Sequence, residues 1–341
     1  MTAAEVLTVA DRLAALEVSD RQDRTLGHPA PEPVAERLEP SRICFDAAFW
    51  GGAEDAEDWL VEPILARGRG HLLYAPAKAG KSLLALYVAA CAATGRAVLD
   101  RPAGTPIRVL YCDLEMTRAD VRERLTEMGF TADDDFSNLA YYSLPSLAAL
   151  DTPQGGAELV ELAAGHLADL VVIDTISRAV SGEENSNDTA QAFARHTGTP
   201  LKAAGRALWR IDHAGKDADR GARGGSAKVD DVDVVHLLTP RDSGRFTLKA
   251  THARMGWIPA IVELERTLEP LTYSTTNDSW PAGTKAAADL LDRLGIPLDH
   301  GKAKARAAIK AAKENAPRND VLMAALRYRR SGLVQVAEVG S

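Results

Sequence analysis

The sequence is poor in cysteine and has neither a long apolar run nor a basic leader. Its three cysteines, Cys44, Cys91 and Cys112, lack the spacing of a metal site. We therefore expect reduced cysteines in a cytoplasmic chain. No segment reaches about 18 uninterrupted apolar residues, and the first residues do not show a basic start followed by an apolar run. The sequence thus predicts neither secretion nor a membrane partner.

An excess of positive charge is also missing. The formal net charge of −8 excludes a surface that is basic everywhere, so any contact with nucleic acid must be local. The hydrophobic fraction of 46% is typical of a globular protein with a sizeable core. A length of 341 residues suits one large α/β domain and a smaller one.

Residues 58–265 alternate short β-rich runs with helical patterns, which predicts a mostly parallel sheet with crossover helices. The last runs are closely spaced, so we expect antiparallel strands at the end of this domain. The predicted strands are HLLYA, IRVLYCDL, NLAYYSL, DLVVIDT, RALWRID, VDVVHLL, FTLKATH and PAIVELE.

Two flanking regions complete the predicted organisation. Residues 1–57 contain an amphipathic helix, Ala3 to Val18, followed by a linker rich in proline and charge. Residues 266–341 show three helical patterns and one short strand pattern, which suits a small helical or winged-helix module. Those patterns are Thr284 to Leu294, Lys302 to Glu314, Asn319 to Tyr328 and, for the strand, Leu333 to Ala337.

The stretch HLLYAPAKAGKSLLALYVA has the strand, loop and helix that a phosphate-binding loop requires. Ala75 stands where the pattern G-x-x-x-x-G-K-[ST] has its first glycine. A residue at the end of a strand normally needs no positive φ, so alanine is acceptable at position 75. Gly80, the glycine of the pattern that matters most sterically, is present. We expect this loop to bind ATP at a helix N-terminus, with Lys81 on the β- and γ-phosphates and Ser82 on Mg²⁺. The predicted nucleotide contacts are Ala77, Lys78, Ala79, Gly80, Lys81, Ser82 and Leu83.

Acidic residues follow two other predicted strands. Asp174 ends a buried run and is the predicted magnesium-site carboxylate. Thr175 and Ile176 come next, and neither can act as a base. Asp113 and Glu115 lie at the end of VLYCDLEM, and residues two apart on an extended segment point the same way, so we expect both to face the γ-phosphate side. Glu115 is the predicted general base or water-orienting residue.

The order of phosphate loop, D-L-E-M and V-V-I-D-T resembles the RecA-like core of hexameric replicative helicases of the DnaB type. It is similar in particular to the RepA-like ATPases of plasmids, phages and mobile elements, which typically begin with a segment like Trp59 to Pro63. The resemblance covers about residues 58 to 257. It implies a homo-oligomeric ring, expected to be hexameric, that acts on single-stranded DNA together with other replication proteins.

The resemblance also implies two further site residues. His213 stands at a strand end where RecA-like proteins keep a sensor of the γ-phosphate, although relatives often have two histidines where this chain has Asp212 and His213. Arg254 in FTLKATHARMG matches the arginine that completes a neighbouring subunit's ATP site, whereas His252 replaces the usual lysine. A structural histidine and a solvated surface arginine are the alternative interpretations.

Two basic segments are candidates for nucleic-acid contact. The glycine-rich stretch 216–228 follows the predicted sensor strand, and Arg220, Arg223 and Lys228 would track a phosphate backbone there. The C-terminal runs KAKARAAIKAAK and RYRR suit either a DNA-contacting winged helix or a partner-docking module with a solvated lysine face.

The leading hypothesis is therefore an ATP-hydrolysing, ring-forming motor on single-stranded DNA, a replicative helicase. One alternative is a regulatory switch whose ATP state controls binding of a protein or operator without unwinding. A recombinase-like filament is the third.

Overall fold

The structure, a computed structural model, describes residues 42–46, 58–183, 186–214, 231–276 and 283–338. The chain divides into two compact units, residues 1–54 and 55–341. In the first unit only residues 42–46 are described, and they are exposed and without regular structure. The predicted N-terminal helix and the glycine-rich stretch 216–228 lie outside the described residues.

The second unit is built on strands that form one large mixed sheet and one small hairpin. The hairpin pairs β1 with β2. The strands are β1 (Trp59–Val61), β2 (Leu65–Ala66), β3 (Gly70–Ala75), β4 (Val109–Asp113), β5 (Leu139–Ser143), β6 (Leu170–Asp174), β7 (Ala207–His213), β8 (Val234–Pro240), β9 (Arg245–Ala253), β10 (Ile261–Leu268) and β11 (Leu271–Thr275).

The large sheet has the order β11-β10-β9-β8-β3-β7-β6-β4-β5. The strands from β8 to β5 in this order are parallel to one another. β9, β10 and β11 extend the sheet by antiparallel pairing. The predicted fold class, a mostly parallel sheet finished by antiparallel strands, is confirmed.

Helices connect the parallel strands and form a separate C-terminal group. A π-helical turn, Ala194–Gly198, links two of them. The helices are α1 (Lys81–Thr94), α2 (Arg118–Glu127), α3 (Pro153–Gly165), α4 (Ile176–Ala179), α5 (Asn187–Phe193), α6 (Thr199–Ala203), α7 (Thr284–Arg293), α8 (Lys302–Ala311) and α9 (Asn319–Glu338). None of the helices in the described ranges has both the length and the apolar character needed to cross a bilayer.

Helix α1 lies in the larger apolar core, because most of its positions hold apolar side chains, chiefly alanine and leucine, which let it pack closely on the sheet. Its end at Gly95, with φ 72°, uses the left-handed conformation that glycine adopts without strain. Helix α2 begins with a reciprocal capping box between Thr117 and Asp120, which satisfies two backbone donors of its first turn. Gly95 thus ends α1, and the capping box fixes where α2 begins after β4.

Two expectations about the C-terminal region are wrong. Leu333 to Ala337 continue helix α9 and do not form a strand, so the described part of this module has three helices and no wing. The boundary predicted at residue 265 falls inside β10, and β11, which the sequence patterns did not indicate, also belongs to the sheet. The division into domains itself remains a prediction.

Arg327 and Arg329, the arginines of RYRR whose side chains the structure describes, are not part of an exposed basic face. Arg327 is largely buried, with Nη2 donating to the carbonyl oxygen of Trp257 at 3.1 Å and Nε 3.7 Å from Glu62. Arg329 is 7% exposed and pairs with Asp292 at 2.7 Å. The contacts of these two side chains tie α9 to residues outside it. The lysines of α8 keep the exposed face.

Candidate functional site

The carboxyl ends of four parallel strands meet at one edge of the sheet. Ala75 at the end of β3 is in register with His213 at the end of β7. Asp113 at the end of β4 is in register with Asp174 at the end of β6. Ligands of open α/β sheets bind in the crevice outside such strand ends. The four segments that the sequence singled out therefore converge on one site.

The loop between β3 and α1 has the backbone of a phosphate-binding loop. Ala75 lies within β3, fully buried, and does not have a positive φ, so the missing glycine costs the strand nothing. Gly80 has φ 86°, and a Cβ there would meet its nearest atoms only at 3.8 Å. Glycine is therefore favoured at position 80 because of the positive φ, and not because a side chain there would clash with its neighbours. The loop turns directly into α1, whose first N–H groups form an anion-binding end.

Two side chains of the first helical turn reach the other strand ends. Lys81 is 6% exposed, and its Nζ lies 3.3 Å from Nδ1 of His213. Ser82 donates its hydroxyl to Oδ1 of Asp174 at 3.0 Å. Hence the loop, β6 and β7 are tied together by the polar side chains that the sequence predicted for the nucleotide and its metal.

Asp174 is buried beside a second carboxyl group. Burial raises the pKa of Asp174 to about 6, and the charge of Asp113 adds to the rise. Hydrogen bonds from Tyr111 and Ser82 act against that rise because they favour the ionised form. Tyr111 donates to Oδ2 at 2.8 Å, so the two oxygens of Asp174 have different partners.

A magnesium ion fits these residues. A hydroxyl and one carboxylate are the oxygen ligands that Mg²⁺ uses beside phosphates and water. The described residues contain no group of three or more histidine, cysteine or acidic side chains able to hold a metal. Ser82 and Asp174 would therefore hold Mg²⁺ only together with a bound phosphate, as is usual for this ion in phosphate-loop enzymes.

Asp113 is bound into the turn that follows β4. Its Oδ1 accepts from the backbone N–H groups of Glu115 and Met116 at 2.7 and 2.8 Å, and Tyr141 donates to its Oδ2. The strand ends at Asp113 and the chain bends there, so the alternation rule for extended segments does not apply to Glu115. Asp113 shapes the turn that carries Glu115.

Glu115 lies among three side chains, which come from the residue after β6, from α4 and from β7. Its Oε1 accepts from Thr175 Oγ1 at 3.3 Å and lies 3.3 Å from Nε of Arg178. Nε2 of His213 is 3.9 Å from the same oxygen. The sequence patterns did not single out Thr175 for this role or Arg178 at all. Their only sequence signal is that they follow Asp174 within four residues.

Arg254 lies near the amino ends of the parallel strands, whereas the phosphate loop lies at their carboxyl ends. Ala253 at the end of β9 pairs with Val234 at the start of β8, which is parallel to β3. The guanidinium of Arg254 is half exposed and 3.8 Å from Asp233. Hydrogen bonds from Lys202 and Gly70 lower the pKa of Asp233, although its burial acts in the other direction. Arg254 therefore cannot reach the phosphate loop of its own chain.

The comparisons with known proteins identify the domain that contains this site. The model of the AAA domain family matches residues 35–219, more than half of the chain. No curated protein matches the chain in sequence. Among solved structures, the flagellar accessory protein FlaH from Methanocaldococcus jannaschii is similar at 12% identity and a TM-score of 0.45, over 64% of this chain and 92% of that chain. A similarity at that level does not indicate what this chain does.

Proposed function

The chain belongs to the AAA domain family, and on that basis we propose that it is a ring-forming, RecA-like ATP-hydrolysing motor that acts on single-stranded DNA. Its group would be the replicative helicases of the RepA and DnaB type. The observation that carries the proposal is the hydrogen bond from Ser82 to Asp174, which joins the phosphate loop to the carboxylate end of β6. This pair is what a magnesium–triphosphate site needs.

Each residue at the strand ends has a role in this proposal. The N–H groups at the start of α1 and the ammonium of Lys81 bind phosphate charge. Ser82 and Asp174 would hold Mg²⁺, which when bound would neutralise charge that grows during transfer. Glu115 orients the attacking water, because its carboxylate is the acid beside this loop that is neither buried nor bound into a turn. His213 lies between Lys81 and Glu115 and would respond to what Lys81 binds.

The position of Arg254 supports a site shared between subunits. An arginine finger must lie on a different side of the subunit from the phosphate loop of its own chain. Arg254 meets this condition because it lies near the amino ends of the parallel strands, opposite the loop. Head-to-tail contacts of this kind close into rings. A guanidinium supplied by the neighbour increases hydrolysis by roughly a thousandfold or more. We propose a hexamer as the ring.

The proposal for DNA rests on the basic residues Arg220, Arg223 and Lys228, which follow β7 in the sequence. They come shortly after His213, so a change at the phosphate end of β7 would be passed to the next residues of the chain. Backbone charge, rather than base recognition, would hold the strand.

The test is the ATPase rate with and without single-stranded DNA, measured for the wild type and for the variant Arg220→Ala/Arg223→Ala/Lys228→Ala. We expect DNA to stimulate the wild type and not the triple variant, whose rate without DNA should be normal. A wild-type rate that DNA leaves unchanged would remove the motor on DNA and favour the regulatory switch.

A further inference from the structure

We propose that Arg178 is a positioning residue that fixes the carboxylate of Glu115 so that one of its oxygens faces the attacking water. The inference rests on the proposed function, because it assigns Glu115 to hydrolysis. It adds a residue of α4 to the machinery, whereas the phosphate loop, β4, β6 and β7 supply the rest.

The contacts described for the Glu115 carboxylate all involve one of its two oxygens, Oε1. The hydroxyl of Thr175 and the guanidinium of Arg178 both approach Oε1 at 3.3 Å, and His213 approaches the same oxygen at 3.9 Å. Within the described ranges no hydrogen bond reaches Oε2. A carboxylate held by one oxygen has its torsions restricted, and its second oxygen keeps its lone pairs for another donor. Oε2 is therefore the atom that can accept from water.

Arg178 is held at this distance by its short helix. Ile176 and Ala179 are buried, 6% and 7% exposed, and anchor α4 on both sides of Arg178. The backbone N–H of Arg178 donates to the carbonyl oxygen of Thr175 at 3.2 Å. The Arg178 side chain itself is 61% exposed. An ion pair this exposed contributes little to stability, so its removal should affect the reaction and not the fold.

The segment that carries Glu115 is also fixed relative to α4. The N–H of Leu114 donates to the carbonyl oxygen of Asp174 at 2.7 Å, which holds the turn after β4 against the end of β6. Because Thr175 follows Asp174 directly and Arg178 lies in the helix that comes next, these two partners of Oε1 belong to the segment that begins at the metal-site carboxylate. Backbone contacts thus place the segment of Glu115 beside the segment of Arg178.

In the reaction, the water oxygen bonds to the γ-phosphorus and the bond from that phosphorus to the bridging oxygen breaks. ADP leaves with the electron pair of that bond, and the proton of the water passes to Oε2 of Glu115 and then to phosphate or solvent. Arg178 takes no part in these bond changes. It increases the fraction of molecules in which Oε2 is correctly placed, which is a gain in orientation.

The experiment measures steady-state ATP hydrolysis over a range of Mg·ATP concentrations for Arg178→Ala, Arg178→Lys, Glu115→Gln and the double variant Arg178→Ala/Glu115→Gln. We expect Arg178→Ala to lower the rate by about 10- to 100-fold with an ATP KM within about twofold of the wild type. Arg178→Lys should recover part of the rate because it keeps a cation. In the Glu115→Gln background, Arg178→Ala should cause no further loss.

Arg124→Ala is the matched control, since Arg124 forms an exposed ion pair with Glu127 at 2.8 Å on α2. It should hydrolyse ATP at the wild-type rate, and all variants should unfold at the wild-type urea midpoint.

Three outcomes would overturn the inference while leaving the site in place. They are a normal rate for Arg178→Ala when Glu115→Gln is inactive, an equal loss from Arg178→Ala in both backgrounds, and a rise in KM, which would indicate direct contact with the phosphates. A fully active Glu115→Gln variant would instead remove the proposed role of Glu115.

Discussion

At the scale of single residues, two buried histidines show how the core fixes protonation. His71 on β3 and His236 on β8 are both fully buried, and one ring nitrogen of each lacks a partner among the described residues. Burial lowers the pKa of His71 to about 4 and that of His236 to about 3, because the charged form loses hydration. Both imidazoles are neutral in the folded protein near neutral pH.

These histidines predict a loss of stability in mild acid. The unfolded chain binds a proton at each histidine below about pH 6.5, whereas the folded chain does not until about pH 4, so the free energy of unfolding falls as the pH drops through this window. The loss should be roughly 2 kcal/mol per histidine between pH 7 and 5. Urea unfolding of the wild type and of His236→Leu at both pH values measures it. Equal losses in the two proteins would contradict the assignment for His236.

The site residues that the sequence indicates most directly are those that belong to a local sequence pattern. The G-K-S of the loop and the buried run before Asp174 are recognisable because each depends on neighbours in the sequence. The roles of Thr175 and Arg178 depend on where side chains point after a strand has ended, so the apolar run that predicted Asp174 at a strand end gives no information about them. The chain also bends directly after Asp113, so the alternation rule gives no information about the direction of Glu115.

At the scale of elements, the strands of the sheet follow their apolar runs because a buried parallel strand needs an apolar side chain on both faces. β11 escapes this pattern since it is a short strand whose place is set by pairing with β10, Leu268 with Leu271. Residues 333–337 contain β-branched side chains but continue a helix that begins at residue 319. In both cases contacts or context outweighed local propensity.

The contacts of Arg327 on helix α9 predict a second effect on the free energy of unfolding. The guanidinium of Arg327 contacts the carbonyl oxygen of Trp257 and Glu62 and lies over the ring of Trp59 at 5.6 Å. We expect Arg327→Ala to lower the free energy of unfolding by roughly 1–3 kcal/mol, because it leaves buried polar groups without a partner. Lys310→Ala on the exposed face of α8 is the control and should have little effect. Urea midpoints that fall together for both variants, or for neither, would argue against an anchoring role of Arg327.

At the scale of the whole molecule, the proposed site is complete only between two subunits. The phosphate loop and Arg254 lie at opposite ends of the parallel strands, so each chain would present a nucleotide face and an arginine face. A head-to-tail ring then has as many composite sites as subunits. The acidic net charge of −8 is compatible with DNA binding only if basic residues gather at one place, such as the pore.

A mixing experiment tests the composite site. Arg254→Ala and Glu115→Gln should each be nearly inactive alone, because every interface lacks one group. Mixed in equal amounts, they should give rings in which roughly one quarter of the interfaces carry both intact groups, with a matching recovery of rate. Mass measurement in Mg·ATP must show that the two variants assemble together. Mixed rings without recovered activity would contradict a shared site.

The most direct measurement is calorimetric binding of a non-hydrolysable ATP analogue with Mg²⁺ to the wild type and to Lys81→Ala. The account predicts binding to the wild type that weakens at least about tenfold in the variant, since Lys81 contributes a charge-assisted contact to the phosphates. Urea midpoints within experimental error of each other would show that both proteins are folded. Equal affinity in the two proteins, or no binding to the folded wild type, would contradict a triphosphate site at this loop.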